Sequence, residues 1–341
     1  MRIRHTALGA AAAALVLLTA ACGEAGSSGG AGTQPTGTDE PSATGGAPAV
    51  CEPVAGDALV VLEDDQGLQT VDNVVPAVNA AAAEASPGLL TVLDAVSATL
   101  DTPTLIQLNR AVDVERRTSS EVAAEFVAEQ GLDQQDAAGG GVAVLVGAAN
   151  FSESATLAEI YAAALDAAGF DATTQTIGNR ETYEPALELG DLTVVPEYAG
   201  TLTEFLNKKV NGADAEAVAS SDLDATMTEL RALGEEVGLV FGEPAAAQDQ
   251  NAFAVTVAFA EEHGVSTLSE LAETCGGIAL GGPPECPERP FCQPGLEELY
   301  GLDVADFTSL DAGGPLTKAA LQQGQIALGL VFSSDAALAT D

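Results

Sequence analysis

Short apolar runs alternate with longer segments of helical spacing along most of the chain. Runs such as 142–146 consist of consecutive apolar residues and predict buried strands, whereas segments such as 156–168 repeat apolar residues every three or four positions and predict amphipathic helices. The predicted strands are 58–62, 142–146, 171–177, 192–195, 252–258, 278–280 and 326–331. The predicted helices are 76–100, 104–112, 119–130, 156–168, 181–188, 268–273, 295–300 and 316–324. This alternation, which recurs from residue 252, predicts two α/β units with mostly parallel sheets and a ligand cleft between them.

The N-terminal segment has the pattern of an export signal. Arg2 and Arg4 precede an apolar run of signal-peptide length that ends just before Cys22. The small residues before that cysteine resemble a bacterial lipoprotein box, so residues 1–21 are predicted to be a signal peptide and Cys22 to carry a lipid. A plain secretory signal with a chance cysteine is the alternative. Residues 22–56 are mostly Gly, Ser, Thr, Pro and Ala and are predicted to form a flexible tether, so the protein is expected outside the cytoplasm, attached to the cell membrane only through its lipid.

The composition restricts the kinds of function. The 341 residues include 51 acidic and 11 basic side chains, a net charge of −40, which argues against nucleic acid or anionic lipid as a partner because both need clustered Lys and Arg. A hydrophobic share of 47% is too high for a disordered acidic chain. No dinucleotide, P-loop, zinc-protease or serine-hydrolase motif occurs. Since His263 is the only histidine after the signal peptide, we expect a binding protein, not an enzyme, with no cofactor and no metal.

Four cysteines follow the lipidation site, and an even number in an exported protein predicts disulfides, with three pairings open. Zinc is the competing interpretation, but neither Cys275 and Cys286 nor Cys286 and Cys292 have the short spacing of thiolate zinc sites. Cys286 and Cys292 enclose a short proline-containing loop and are predicted to pair. That leaves Cys51 to pair with Cys275.

Several motifs in a consistent order resemble one protein family over nearly all of residues 58–335. They include Val-Gly-Ala-Ala-Asn-Phe-Ser-Glu-Ser at 146–154, Val-Pro-Glu-Tyr-Ala-Gly-Thr at 195–201, Asn-Ala-Phe-Ala-Val at 251–255, Gly-Gly-Pro-Pro-Glu at 281–285, Leu-Asp-Ala-Gly-Gly at 310–314 and Val-Phe-Ser-Ser-Asp at 331–335. The family that they resemble is the osmoprotectant substrate-binding proteins of ABC importers, which take quaternary amines of the glycine betaine and choline class. The resemblance implies an α/β, two-lobed, periplasmic-binding-protein-like (type II) fold with a hinge and an interlobe cleft.

The same resemblance implies the function and the partners. A small quaternary amine is expected to bind in an aromatic cage between the lobes of a monomeric protein, which delivers it to an ABC permease and its ATPase. The alternative is a binding-protein fold reused as an extracellular sensor or interaction module for a different small polar solute.

The order of the segments differs from that of the family. A stretch that comes last in the family lies first here, at about 57–133. We therefore expect a circular permutation in which a linker, 134–141, joins this stretch to the counterpart of the family's N-terminal segment, 142–250. Lobe I is then 57–250, and lobe II is 251–341 with a return to the hinge. A truncated tandem duplication is the alternative, although no segment is repeated.

The permuted order has a consequence for the connection between the lobes. One crossing, near Gln250, is expected to stay covalent while the other is cut. The Cys51–Cys275 disulfide is then expected to tie lobe II to the start of lobe I.

The resemblance also implies the positions that hold the ligand. Tyr198 matches a cage tyrosine and Thr201 a polar contact, and Phe253 and Phe332 stand where the family often has tyrosine. Asp72 falls where the family has a fourth aromatic residue, so it replaces an aromatic wall with a carboxylate. Aromatic faces are the natural partners of a quaternary ammonium group, because that group has no proton to donate.

The loop after strand 142–146 supplies further candidates. Asn150, Ser152 and Glu153 follow the carboxyl end of a strand, where ligands of α/β sheets bind, and the resemblance adds Asn251. Near Ala149, family members often carry a lysine for the ligand's carboxylate. Its absence here favours a cation such as choline over a zwitterion such as glycine betaine.

Two charged residues have alternative roles. Arg289 is expected either to bind a ligand carboxylate or to pair with Glu285 or Glu288. Glu197, beside the cage tyrosine, is expected to contact the permease if it does not contact the ligand.

Overall fold

A computed structural model describes residues 50–134 and 138–335, so the predicted signal peptide, Cys22 and most of the predicted tether lie outside the described residues. The strands in this part are β1 (Leu59–Leu62), β2 (Val74–Asn79), β3 (Ala143–Ala149), β4 (Asp171–Gly178), β5 (Val194–Tyr198), β6 (Leu239–Phe241), β7 (Asn251–Thr256), β8 (Ile278–Gly282), β9 (Val304–Ser309) and β10 (Leu328–Phe332). The α-helices are α1 (Ala80–Ala85), α2 (Gly88–Ser97), α3 (Thr102–Asn109), α4 (Ser119–Glu129), α5 (Ser152–Ala167), α6 (Arg180–Leu189), α7 (Ala199–Asn211), α8 (Leu223–Val237), α9 (Val257–His263), α10 (Leu268–Thr274), α11 (Gln293–Tyr300) and α12 (Pro315–Gln322). A π-helical segment, Arg110–Val114, follows α3 directly.

The strands form two five-stranded sheets, and each sheet with its helices is a lobe. The first lobe has the strand order β4-β3-β5-β2-β6, and the second has β1-β7-β10-β8-β9. Parallel pairs lie at β3–β4, β3–β5, β8–β9 and β8–β10, and the remaining pairs are antiparallel. The α/β, two-lobed type II architecture is therefore confirmed, with mixed rather than nearly parallel sheets.

Strand β2 corrects the predicted helix at 76–100. All six residues of Val74–Asn79 are buried, and β2 lies between β5 and β6. A strand buried on both faces has no polar alternation, so its apolar run merged with the helical pattern that follows. Asn79 separates the two elements, because its side-chain oxygen accepts a hydrogen bond from Ala82 N at 3.1 Å and caps α1.

Each lobe has its own hydrophobic core. Tyr161 of α5 and Phe126 of α4 are buried in the core of the first lobe, against β2 and β3. Phe253 of β7 and Phe259 of α9 are buried in the core of the second lobe. The two hydrophobic cores are separate, and the interlobe cleft lies between the lobes that contain them.

The strand pairing also corrects the expected boundary between the lobes. Strand β1 pairs antiparallel with β7, with Leu59 opposite Thr256. This strand therefore belongs to the second lobe, although it falls inside the range 57–250 that was predicted for lobe I. Within the described residues the chain crosses between the sheets twice, at 63–73 and at 242–250, so the expectation that one crossing is cut is wrong.

The two crossings lie side by side and form the hinge. Asn73 and Gln248 form an antiparallel bridge, and Asp249 N donates to the Asp72 carbonyl at 3.0 Å. The segment after β10 joins them, because Ser333 N donates a hydrogen bond of 2.9 Å to a backbone carbonyl of the second crossing. These backbone hydrogen bonds connect the two crossings and the segment after β10 to one another.

Both predicted disulfides are present, but one has a different role. Cys286 and Cys292 close a short loop, and Cys51 pairs with Cys275 across 224 positions. Cys51 is buried in the second core, and its N–H donates to the Gly277 carbonyl at 3.0 Å. The Cys51–Cys275 bond therefore fastens the segment before β1 to its own lobe and does not tie the lobes together.

In the described ranges, no single helix is long and apolar enough to cross a membrane. The segments Gly88–Ser97 and Thr102–Val114 reach that length and composition only as a pair, with a bend of 89° between them.

Replacing Cys51 and Cys275 by alanine is expected to lower the free energy of unfolding by about 2–4 kcal/mol, because the unfolded chain loses a long covalent loop. Denaturant unfolding measures this loss, and C286A/C292A, which opens a much shorter loop, is the control with the smaller effect. Small-angle scattering on the folded C51A/C275A protein is expected to give the wild-type radius of gyration. An increase would mean that this disulfide does hold the lobes together.

Candidate functional site

A cavity of about 520 Å³ lies between the lobes. Three strands from both sheets end at it, with Ala149 of β3 and Tyr198 of β5 from the first lobe and Phe332 of β10 from the second. The carboxyl ends of strands thus meet at the cavity, as α/β ligand sites require. Its size suits a small molecule.

Aromatic rings from both lobes line this cavity next to one another. The Phe151 ring lies 6.2 Å from Tyr198 and 5.3 Å from Phe332, measured between ring centroids. Phe151 immediately precedes α5, so the start of that helix holds its ring between the two sheets. Phe291, in the Cys286–Cys292 loop, adds a further ring to the lining.

Most of the residues predicted to hold the ligand line this one cavity. They are Asp72, Asn150, Tyr198, Thr201, Asn251, Arg289 and Phe332. Residues that are far apart in sequence are therefore neighbours in the cleft, and their contact with a ligand stays a prediction.

Three predicted site residues, Phe253, Ser152 and Glu153, do not line this cavity. Phe253 is 1% exposed and packs in the second core, because it lies two residues deeper along β7 than Asn251, on the same face of the strand. Ser152 donates a hydrogen bond to Asp113 at 3.0 Å and lines a second cavity of about 430 Å³. The second cavity shares Phe151 and Phe332 with the first, so these rings separate the two spaces.

A buried ion pair supports the wall beside Tyr198. Arg180 donates from Nε and Nη2 to the two carboxylate oxygens of Glu197, at 2.9 and 2.7 Å, and the Tyr183 hydroxyl donates to Oε1 at 2.8 Å. Arg180 also donates to Thr201 Oγ1 at 2.9 Å, which orients that hydroxyl at the cavity. Glu197 is 1% exposed, so the expectation that it contacts the permease is wrong.

Asp72 is buried at the start of α7. Its Oδ1 accepts a hydrogen bond from Thr201 N at 3.0 Å, in the first turn of that helix, where the helix dipole favours an anion. Burial nevertheless raises the pKa of Asp72 to about 7. The carboxyl group is therefore partly protonated near neutral pH and faces the cavity.

A second buried acidic group lies below the rings. Glu153 accepts hydrogen bonds from the Tyr198 hydroxyl and the Ser334 hydroxyl, each at 2.6 Å, and from Asn109 Nδ2. Ser334 N donates to Asp249 Oδ1 at 3.2 Å. Burial raises the pKa of both Glu153 and Asp249, since neither carboxyl has water to stabilise its charge.

Arg289 forms an ion pair across the cleft. Its guanidinium contacts Glu285 in its own loop at 3.4 Å and Glu181 of the other lobe at 3.0 Å. The predicted pairing with Glu285 is thus confirmed, and the pairing with Glu181 adds a contact between α6 and the Cys286–Cys292 loop. The Arg289–Glu181 ion pair thus connects the two lobes at the lining of the cavity.

One group of possible metal ligands occurs among the described residues. Cys51, His263 and Cys275 converge, with His263 Nδ1 3.7 Å from Cys51 Sγ. The two cysteines are joined to each other, so neither offers a thiolate.

Comparison with known proteins identifies the family. Residues 54–129 and 142–340 match the family described as the substrate binding domain of ABC-type glycine betaine transport system. The chain belongs to this family. It is 30% identical over 179 residues to a glycine-betaine-binding protein of Pseudomonas aeruginosa, an alignment that covers 49% of this chain and 55% of that protein, so the chain spans about half the length of this curated relative. It also resembles the crystal structure of a glycine betaine/carnitine/choline ABC transporter protein, with 19% identity, a TM-score of 0.36 and coverage of 56% of this chain and 68% of that one.

Several residues of the cavity were not predicted from the sequence. Phe151 follows a strand by two positions, which was the available signal. No sequence signal pointed to Arg180 or Asp249, because nothing in the local pattern shows that a single charged residue is buried. Phe291 and Glu181 become site residues only through the way the loop and α6 meet.

Substituting Glu197 by glutamine is expected to lower the free energy of unfolding by about 3–5 kcal/mol, because it leaves the buried Arg180 guanidinium without a countercharge. Urea denaturation measures the change. The matched control is R231Q, which breaks the exposed Arg231–Glu243 pair and is expected to change stability by at most about 1 kcal/mol. Equal effects of the two substitutions would contradict a structural role for the buried pair.

Proposed function

We propose that this protein captures a small quaternary amine in the interlobe cavity and delivers it to an ABC permease. The observation that carries the proposal is the contact of Phe151 with Tyr198 from one lobe and Phe332 from the other. Each ring face attracts a cation by about 0.5–2 kcal/mol, and a quaternary ammonium group needs such faces because it donates no hydrogen bond. Membership of the glycine betaine family supports the same ligand class.

The charges around the cavity support a cationic ligand over a zwitterion. Three of the four bases that line it are already ion-paired, namely Arg180, Lys209 and Arg289. The fourth, Lys208, is in the last turn of α7, where the helix carbonyls favour a cation. Asp72 and Asp249 have carboxyl groups at the cavity and no ion-pair partner among the described residues. A choline-type cation meets an acid there, whereas the carboxylate of a betaine finds only Lys208 without an ion pair among the bases of the lining.

The delivery and the location are part of the same proposal. The predicted tether 22–56 is too long at its end, because Cys51 and the residues after it are fastened to the second lobe. Lipid on Cys22 and the part of the tether before Cys51 keep the folded lobes near the membrane, and the permease and its ATPase complete the importer. Closure of the lobes around the ligand gives the permease a surface to recognise that differs from the empty form. The protein acts as a monomer.

We also propose that the chain is circularly permuted relative to its family. The family match has two segments, 54–129 and 142–340, and the gap between them contains the whole predicted linker, 134–141. Strand β2, from the first segment, lies between β5 and β6 of the second, so the two segments build one sheet. Fusion of the family's original ends through a short linker explains both observations.

Calorimetric titration with choline, glycine betaine, carnitine and proline betaine tests the ligand class. We expect choline to bind more tightly than glycine betaine, and F332A to weaken choline binding by roughly 3- to 30-fold through loss of a cation–π face. The control is F307A, since Phe307 is a partly buried phenylalanine of β9 that packs on the second core outside the cavity. Absence of binding to all four amines, or an equal loss for both variants, would reject the proposed ligand class.

A further inference from the structure

Two buried carboxyl groups meet where the hinge passes under the aromatic rings. Glu153 is in the first turn of α5, Asp249 is in the crossing 242–250, and each is 4% exposed. Ser334 joins them, with its hydroxyl donating to Glu153 and its N–H to Asp249. Ser334 thus places both carboxyl groups in one buried cluster, where burial raises the pKa of each. Two like charges this close and withdrawn from water repel each other, so the cluster favours one negative charge and one proton.

The neutral groups around the pair favour one negative charge. Tyr198 of β5 and Asn109 of α3 each donate to Glu153, in addition to the Ser334 hydroxyl. Asp249 accepts the N–H of Ser334 and has fewer donors than Glu153 in the described part of the chain. The charge therefore resides on Glu153, and the proton on Asp249, which is the member of the pair that lines the main cavity.

No described base forms an ion pair with either carboxyl group. Arg116, which lines the second cavity with Glu153, is exposed and contacts neither. Asp72, in the neighbouring crossing, is another acid, and Arg180 of α6 is bound to Glu197 of β5. On the side of the second lobe, Lys318 of α12 is ion-paired with Asp335. A second full negative charge at Asp249 therefore needs a cation from outside the protein.

On the basis of the proposed function, we propose that Glu153 and Asp249 share one proton in the empty cavity and that a cationic ligand displaces this proton to solvent. The O–H bond of the shared proton breaks, the proton passes to a buffer base, and the pair gains one negative charge as one positive charge enters. The net charge of the buried site is unchanged by this exchange. A nearby cation favours the ionised form of a carboxyl group, which provides the driving force.

The exchange makes Asp249 a specificity-determining residue. A cation such as choline gains a full countercharge when the proton leaves. A betaine carries its own carboxylate, which opposes ionisation of the pair, so it displaces less of the proton. Selection between the two ligand types then depends on pH, with cation affinity rising as pH rises through the titration of the pair.

Titration calorimetry in buffers of different ionisation enthalpy counts the protons released per ligand bound. We expect release by the wild-type protein on choline binding to approach about one proton at some pH between about 5 and 9. Asp72 is the competing source, so D72N is measured in parallel. Its affinity is expected to fall, but its proton release is expected to persist.

The variants E153Q and D249N remove one carboxyl group each and are expected to abolish the release in the D72N background. Loss of release in D72N itself would assign the proton to Asp72, and persistence of release in E153Q and D249N would assign it elsewhere. Either result, or zero release by the wild-type protein throughout this range, overturns the proposal.

Infrared spectroscopy of the ligand-free protein separates this proposal from the proposed function. A buried protonated carboxyl group has its own C=O band. We expect this band in the wild-type protein and in D72N, and we expect it to be absent from E153Q/D249N. If none of the four amines binds, the proposed function fails and ligand-driven displacement fails with it, while the band still decides whether the proton is shared. Absence of the band in the wild-type protein rejects the shared proton directly.

Discussion

Contact between rings that belong to different lobes is the constraint on which the site depends. Phe151 is held by the start of α5 and Phe332 by the end of β10, and their centroids are 5.3 Å apart. Neither lobe alone encloses a cation, since each offers only part of the aromatic wall. The paired crossings 63–73 and 242–250 set the spacing of the lobes, and the Arg289–Glu181 ion pair adds a contact between them on the cavity lining. The aromatic wall of the cavity, the hinge and the ion pair between the lobes therefore lie close together.

Burial of acids gives the cavity its second property. A chain with a net charge of −40 has many solvated carboxylates, but Asp72, Glu153 and Asp249 are withdrawn from water. Glu197, which is also buried beside the cavity, differs from them because it has a countercharge from Arg180. Burial makes ionisation of Asp72, Glu153 and Asp249 unfavourable, and under the proposed function a bound cation offsets that cost.

The sequence allowed the architecture to be predicted further than the details of the site. Strand β3 was identifiable because an apolar run has a local signal, whereas Tyr198 was identified through the resemblance of its motif to the family. Strand β2 was missed, since burial on both faces removes alternation, and β1 was assigned to the wrong lobe because strand partnership is a long-range property. Phe253 and Asn251 lie on one face of the same strand, yet only Asn251 reaches the cavity. How far along a strand the cleft extends is decided by the meeting of the two lobes, which no local pattern encodes.

The most direct measurement is a crystal structure of the protein with choline. The account predicts that the ammonium group lies in the interlobe cavity within about 6 Å of ring centroids from both lobes, including Phe332 and at least one of Phe151 and Tyr198. Choline bound against one lobe only, or outside the cavity, would contradict it.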